Sequence, residues 1–128
     1  MEVRECMTKK PVTAAPGDTL ASAQAKLRAG GFRRLPVLHE GKLVGILSEY
    51  NLRRYPEDSL ESTAVVAAMT PDPVAVSPTA TVEHAVALLK RSEIGALPVV
   101  DHGTLVGIIT ASNLYFPEPR PLPEWVRT

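Results

Sequence analysis

Leu43-Val44-Gly45-Ile46-Leu47-Ser48-Glu49-Tyr50-Asn51-Leu52 is written a second time as Leu105-Val106-Gly107-Ile108-Ile109-Thr110-Ala111-Ser112-Asn113-Leu114. The offset is 62 residues (107 − 45), and it holds upstream without a gap. Leu35-Pro36-Val37 returns as Leu97-Pro98-Val99, Leu27 as Leu89, Ala23 as Ala85, Thr19 as Thr81, Pro16 as Pro78, Pro11-Val12 as Pro73-Val74, and Met7-Thr8 as Met69-Thr70. One register kept over that many positions is a repeat, and a repeat sets the architecture before any single element does. The copies span residues 1–54 and 63–116, a polar, Pro-containing linker fills 55–62, and a Pro-rich tail occupies 117–128. Units of about 60 residues bury too little surface to be stable singly. The two copies are therefore expected to pack on each other about a pseudo-twofold axis, as one structural domain.

Local signals predict the elements of one copy. Val3 to Met7 and Val65 to Met69 read as short helical lead-ins, and Val12 to Ala14 and Val74 to Val76 as short strands. Thr19 and Thr81 precede apolar residues at helical spacing (Leu20, Ala23, Leu27; Val82, Ala85, Leu88, Leu89) and are N-cap candidates. Gly30-Gly31 stops the first of these helices. A hairpin follows, with strands Leu35 to Leu38 and Leu43 to Leu47 around His39-Glu40-Gly41, and its copy turns at Asp101-His102-Gly103. Ser48 and Thr110 can each cap a short closing helix that carries Asn51-Leu52 or Asn113-Leu114. The order β-α-β-β-α, twice, is an α+β fold.

Composition excludes several classes. Of 128 residues, 45% are hydrophobic and 22% charged, which is the balance of an ordinary globular chain. No apolar run approaches the roughly 20 residues that span a bilayer, and Glu2, Arg4 and Glu5 follow Met1 where a signal peptide would place an apolar segment. A cytoplasmic location is expected. The single cysteine, Cys6, excludes an internal disulfide and a cysteine-based zinc site, and it reads as a small packing residue. His39, His84 and His102 lack metal-ligand spacing, so no metal is expected. No nucleophile or general base has a partner at a useful spacing, so an enzyme is not expected. Fourteen Lys/Arg balance fourteen Asp/Glu, which opposes general nucleic-acid binding.

The repeat resembles the CBS domain, named after cystathionine beta-synthase. The resemblance rests on Val-x-x-x-Met-Thr (Val3 to Thr8, Val65 to Thr70), on the central Leu-Pro-Val, and above all on the closing Gly-x-x-Ser/Thr-x-x-Asp/Asn at Gly45 to Asn51 and Gly107 to Asn113. With no other domain in view, the chain looks like a stand-alone CBS pair. That resemblance implies a non-catalytic regulatory module that binds AMP, ADP, ATP or S-adenosylmethionine in clefts between repeats and pairs as a homodimer. It places Thr13 and Ala75, with Val12 and Val74, on strands whose backbone can read an adenine edge, and Leu35, Pro36, Ala96, Leu97 and Pro98 in the loops that approach the adenine. Ser48 and Thr110 fall at the ligand-facing hydroxyl position, and Asn51 and Asn113 at the ribose position, usually an Asp. An amide offers one acceptor and one donor group, so it would hold a ribose diol less symmetrically than a carboxylate. This shared departure leaves a ligand-free dimerisation or docking module as the alternative.

Charge separates the copies. Residues 1–52 carry eight Lys/Arg and five Asp/Glu, net +3, whereas residues 63–116 carry two and four, net −2. Arg33 and Arg34 align with Gly95 and Ala96, and Arg53 and Arg54 with Tyr115 and Phe116. Guanidinium groups fork onto phosphate, so Arg33 and Arg34 are the phosphate candidates and the first copy supplies the phosphate side of the site. The alternating prolines of Pro117 to Pro123, followed by Trp125, read either as a flexible terminus or as an extended strap.

Overall fold

The computed structural model describes residues 1–91 and 95–115. A one-turn 3-10 helix, Val3–Glu5, leads into β1 (Thr8–Lys9), followed by α1 (Leu20–Gly30), β2 (Arg34–His39), β3 (Lys42–Ser48) and α2 (Glu49–Leu52). The second copy runs α3 (Val65–Ala68), β4 (Thr70–Pro71), α4 (Val82–Arg91), β5 (Ala96–Asp101), β6 (Thr104–Thr110) and α5 (Ala111–Tyr115). The Pro-rich tail with Trp125 lies outside the described residues.

The expected caps are present. Thr19 Oγ1 accepts from the Ser22 N–H and Thr81 Oγ1 from the His84 N–H, both at 3.1 Å. Gly31 ends α1 in the left-handed conformation, φ +66°. Each hairpin turns through two residues of positive φ, Glu40-Gly41 and His102-Gly103. That is the two-residue turn whose twist suits antiparallel strands. Leu35 pairs with Leu47 and Leu97 with Ile109, and all four side chains are fully buried.

The predicted strands at Val12 to Ala14 and Val74 to Val76 shrink to single bridges. Only Ala14 meets Val37, and only Val76 meets Val99, both in parallel. Pro11 and Pro73, without an N–H, open each segment. At its other end the chain turns away at once, because the Ala15 N–H donates to the Asp18 carboxylate at 2.8 Å. The extended pairing lies earlier, at Thr8–Lys9 and Thr70–Pro71.

Those two short strands exchange partners between copies. β1, from the start of the first copy, pairs with β6 of the second, and β4, from the start of the second, pairs with β3 of the first. Two three-stranded sheets result, β2-β3-β4 and β5-β6-β1. Burial follows the exchange: Val3 and Cys6 pack with Val76, Leu97, Val99 and Ile109, whereas Leu60 and Val65 pack with Leu20, Leu27, Leu35 and Leu47. Ile46, Ala96 and Ile108 form a small third cluster that joins the copies.

The strand glycines explain the close fit. A Cβ on Gly107 would stand 2.5 Å from Met7 Sδ and 2.8 Å from the Thr8 carbonyl oxygen. A Cβ on Gly45 would collide with Met69 Sδ and come within 3.0 Å of the Thr70 carbonyl oxygen. Each Met-Thr thus lies directly on the bare glycine of the other copy.

Candidate functional site

The exchange builds a cleft of about 820 Å³, within the size range of small-ligand sites. One wall is the end of the first copy: Arg33, Arg34, Ser48, Asn51, Arg53 and Arg54. The facing wall comes from the second: the segment Thr70 to Val74 after β4, with Leu88 and Arg91 of α4. Pro71, Pro73, Val74 and Leu88 give that wall an apolar surface, and Val74 is 57% exposed. Five arginines oppose two carboxylates, Glu49 and Asp72, so the cleft carries an excess of positive charge.

Arg34 is the half-buried member of the set. Its Nη2 lies 3.1 Å from where a Cβ on Gly95 would stand, so glycine at that position leaves room for the guanidinium at the boundary between copies. Burial, with Arg33 adding to it, holds the Arg34 pKa below the usual arginine value, and Glu49 partly offsets both. The Arg33 carbonyl accepts from the Glu49 N–H at 3.0 Å, which ties the start of α2 to the arginine pair.

Ser48 and Asn51 engage each other before they can engage anything else. The Asn51 Oδ1 accepts from the Ser48 N–H at 2.8 Å and from the Ser48 hydroxyl at 3.0 Å. The Ser48 Oγ accepts from the Asn51 N–H at 3.1 Å. This is a reciprocal capping box, and it fixes the amide, because only the oxygen can face an N–H donor. The second copy repeats it: Asn113 Oδ1 accepts from the Thr110 N–H at 2.9 Å and from its hydroxyl at 3.1 Å. There the amide nitrogen is used as well, since Asn113 Nδ2 donates to Thr8 Oγ1 at 3.2 Å. The acceptor assigned to a ribose diol is therefore spent inside the helix cap in both copies.

Four of the residues proposed from sequence, Arg33, Arg34, Ser48 and Asn51, come together in this cleft. Thr13 lies apart from it, and its carbonyl accepts from Lys26 Nζ at 2.8 Å. Leu35, Pro36, Ala96, Leu97 and Pro98 are buried. The carbonyls of Pro36 and Pro98 are taken by the Ala14 and Val76 N–H groups, both at 3.0 Å. Thr110 and Asn113 sit at the opposite junction, against Thr8. Val74, read from sequence as part of a strand at the adenine edge, does line the cleft, whereas Arg91, Asp72 and Leu88 were missed by sequence reasoning. They belong to the second copy, and only the exchanged β4 brings them to the first copy's closing helix. Burial raises the Cys6 pKa, and Glu5 adds to it, which suits a thiol that packs.

Paired α+β repeats that trade their leading strands across a ligand-sized cleft define a tandem-repeat module. The signature of the CBS domain matches residues 3–58 and 64–116, and the chain belongs to the CBS domain family. It is 29% identical to the CBS domain-containing protein YhcV of Bacillus subtilis, over 88% of this chain and 81% of that protein. It is 34% identical to inosine-5'-monophosphate dehydrogenase of Korarchaeum cryptofilum over 86% of this chain, but spans only 23% of that enzyme. CBSX2 in complex with AMP superposes with a TM-score of 0.80 at 30% identity, covering 89% of this chain and 92% of that one. The CBS domain pair of protein MJ0100 from a complex with 5'-methylthioadenosine and S-adenosyl-L-methionine superposes at 0.80, with 25% identity and 90% and 93% coverage. The CBS domain of a bacterial CNNM/CorC family Mg2+ transporter in complex with ATP does so at 0.81, with 26% identity and 90% and 84% coverage. Among the described residues no helix is long and apolar enough to cross a membrane, and no cluster of His, Cys, Asp and Glu could hold a metal ion.

Proposed function

We propose that this chain is a cytoplasmic regulatory module that binds an adenine nucleotide in the cleft between Ser48–Asn51 and the Thr70–Val74 segment. The arginine-lined cleft carries this reading. Phosphates would lie toward Arg33, Arg34 and Arg91, and the base against Pro73, Val74 and Leu88. The similarity to structures bound to AMP, ATP and S-adenosyl-L-methionine supports an adenosyl ligand. Charge favours the nucleotides over the cationic sulfonium. A ligand that touches both copies can shift their arrangement only by its differential affinity for two states.

A thermal-shift and calorimetric screen of AMP, ADP, ATP, S-adenosylmethionine and NAD tests the reading. A ligand at about 100 times its dissociation constant adds roughly 2.7 kcal/mol of stability. Arg33→Ala is expected to weaken AMP or ATP by roughly 10- to 150-fold, the worth of one charge-assisted bond, while adenosine loses little. No heat with any adenine nucleotide at millimolar concentration would refute the proposal.

One observation favours a second reading, a ligand-free docking module: Asn113 already spends its free donor on Thr8. Either reading includes a homodimer. The apolar face of α4 (Val82, Val86, Leu89) keeps some exposed surface within one chain, and uncovered apolar surface marks interfaces. Light scattering at micromolar concentration is expected to give twice the monomer mass, and a monomer mass would discard the dimer.

A further inference from the structure

The arrangement around Asn51 bears on which nucleotide the cleft takes. A second cavity of about 530 Å³ adjoins the first, and Asn51, Arg54, Thr70 and Pro71 line both. Tyr55, Ala67, Ala68 and Met69 complete this side pocket, and no acidic residue lines it. Its Tyr55 hydroxyl is engaged, because it donates to the Ala67 carbonyl at 3.0 Å, and Thr70 supplies the other hydroxyl of the lining. At the junction of the two cavities Asn51 has only its Nδ2 left, since Oδ1 accepts twice from Ser48. The Ser48 hydroxyl proton is committed to Asn51 as well. The junction therefore presents N–H donors from Asn51 and the Arg54 guanidinium, beside the Thr70 hydroxyl, which can donate to a phosphate as well.

A ribose diol needs acceptors for its two O–H groups, which is why a carboxylate suits it. A phosphate has only acceptor oxygens and carries charge, so donors and an arginine suit it instead. Dinucleotide-binding folds make the same exchange, an acid for the free hydroxyl and an arginine for the 2′-phosphate. We propose that the ligand of this cleft is a nucleotide phosphorylated on its ribose as well as at the 5′ position, with the ribose phosphate held by Asn51 Nδ2 and Arg54 in the side pocket. This rests on the adenine-nucleotide reading above. In the second copy Asn113 Nδ2 is already bound to Thr8, and the sequence has Tyr115 and Phe116 where the first copy has Arg53 and Arg54, so the site is assigned to the first copy. One such ligand binds per chain.

Calorimetry with adenosine 2′,5′-bisphosphate, adenosine 3′,5′-bisphosphate, ADP and AMP tests this. The bisphosphates and ADP each carry two phosphates, so the comparison separates position from number. At least one bisphosphate is expected to bind roughly 10- to 150-fold tighter than ADP, the gain of a charge-assisted contact. Asn51→Asp keeps an oxygen for the Ser48 N–H, so the cap survives, and it should invert the order: the bisphosphate weakens and AMP tightens. Arg54→Ala should lower the ratio of bisphosphate to ADP affinity. If AMP or ADP binds but neither bisphosphate exceeds ADP, or if Asn51→Asp leaves the order unchanged, the ribose-phosphate site is wrong and the nucleotide reading stands. If no adenine compound binds, both fall.

Discussion

Val3→Asp is expected to destabilise the chain by roughly 3–5 kcal/mol, the cost of an uncompensated buried charge. Val3 is near the chain's start, where substitutions are usually harmless, yet it is completely buried in the core of the second copy. Its N–H donates to the Ala80 carbonyl at 2.8 Å, and the next residue's N–H donates to the Pro78 carbonyl at 2.9 Å. A carboxylate at this position would face Val76, Leu97, Val99 and Ile109 with no partner. Val66→Asp is the control, because Val66 is 53% exposed, and it should stay within about 0.5 kcal/mol. Urea denaturation measures the difference. Hydrogen exchange locates it: protection should fall in β5 and β6 more than in β2 and β3. A loss below ~1 kcal/mol, or a loss confined to β2 and β3, would contradict the exchanged packing.

Leu35→Ala and Leu97→Ala should each cost roughly 2–5 kcal/mol through loss of contacts and the cavity left behind. Both side chains have no exposed surface, and they lie in different clusters, Leu35 with Leu20, Leu27 and Leu47, and Leu97 with Val3, Val99 and Ile109. Because the clusters share no residue, the double variant should equal the sum of the singles within about 0.5 kcal/mol. Thermal and chemical denaturation of the three variants checks both expectations. A cost under ~1 kcal/mol for either leucine would mean that its strand faces the other way, since a shift of one residue turns a strand over.

The closing motif shows how far a sequence reaches into a site. Ser48 as a cap was legible, because a hydroxyl ahead of a short helix has a local use. That Asn51 completes the cap was not read, although Ser-x-x-Asn has the spacing of a capping box. The arginine asymmetry was legible as well, since charge can be counted along a chain. Its meaning depends on the residues opposite, and Pro73, Val74 and Leu88 lie across the cleft from arginines far from them in the chain.

What the sequence by itself determined was the repeat, the helices and hairpin of each copy with their caps and turns, and the strand faces that pair Leu35 with Leu47 and Leu97 with Ile109, but not the short leading strands. These follow from interactions a few residues apart, or from a side-chain period that only one backbone conformation satisfies. Tertiary structure alone decided which copy receives each leading segment. Met7-Thr8 could lie on Gly45 or on Gly107, because both strands carry the same Leu-Val-Gly-Ile, and Met69-Thr70 faces the same choice. A repeated sequence is degenerate in this respect. The choice falls to the whole core, where Val3 and Cys6 fill the second copy and Leu60 and Val65 the first. The cleft exists because of that choice, since it is made from the end of one copy and the beginning of the next.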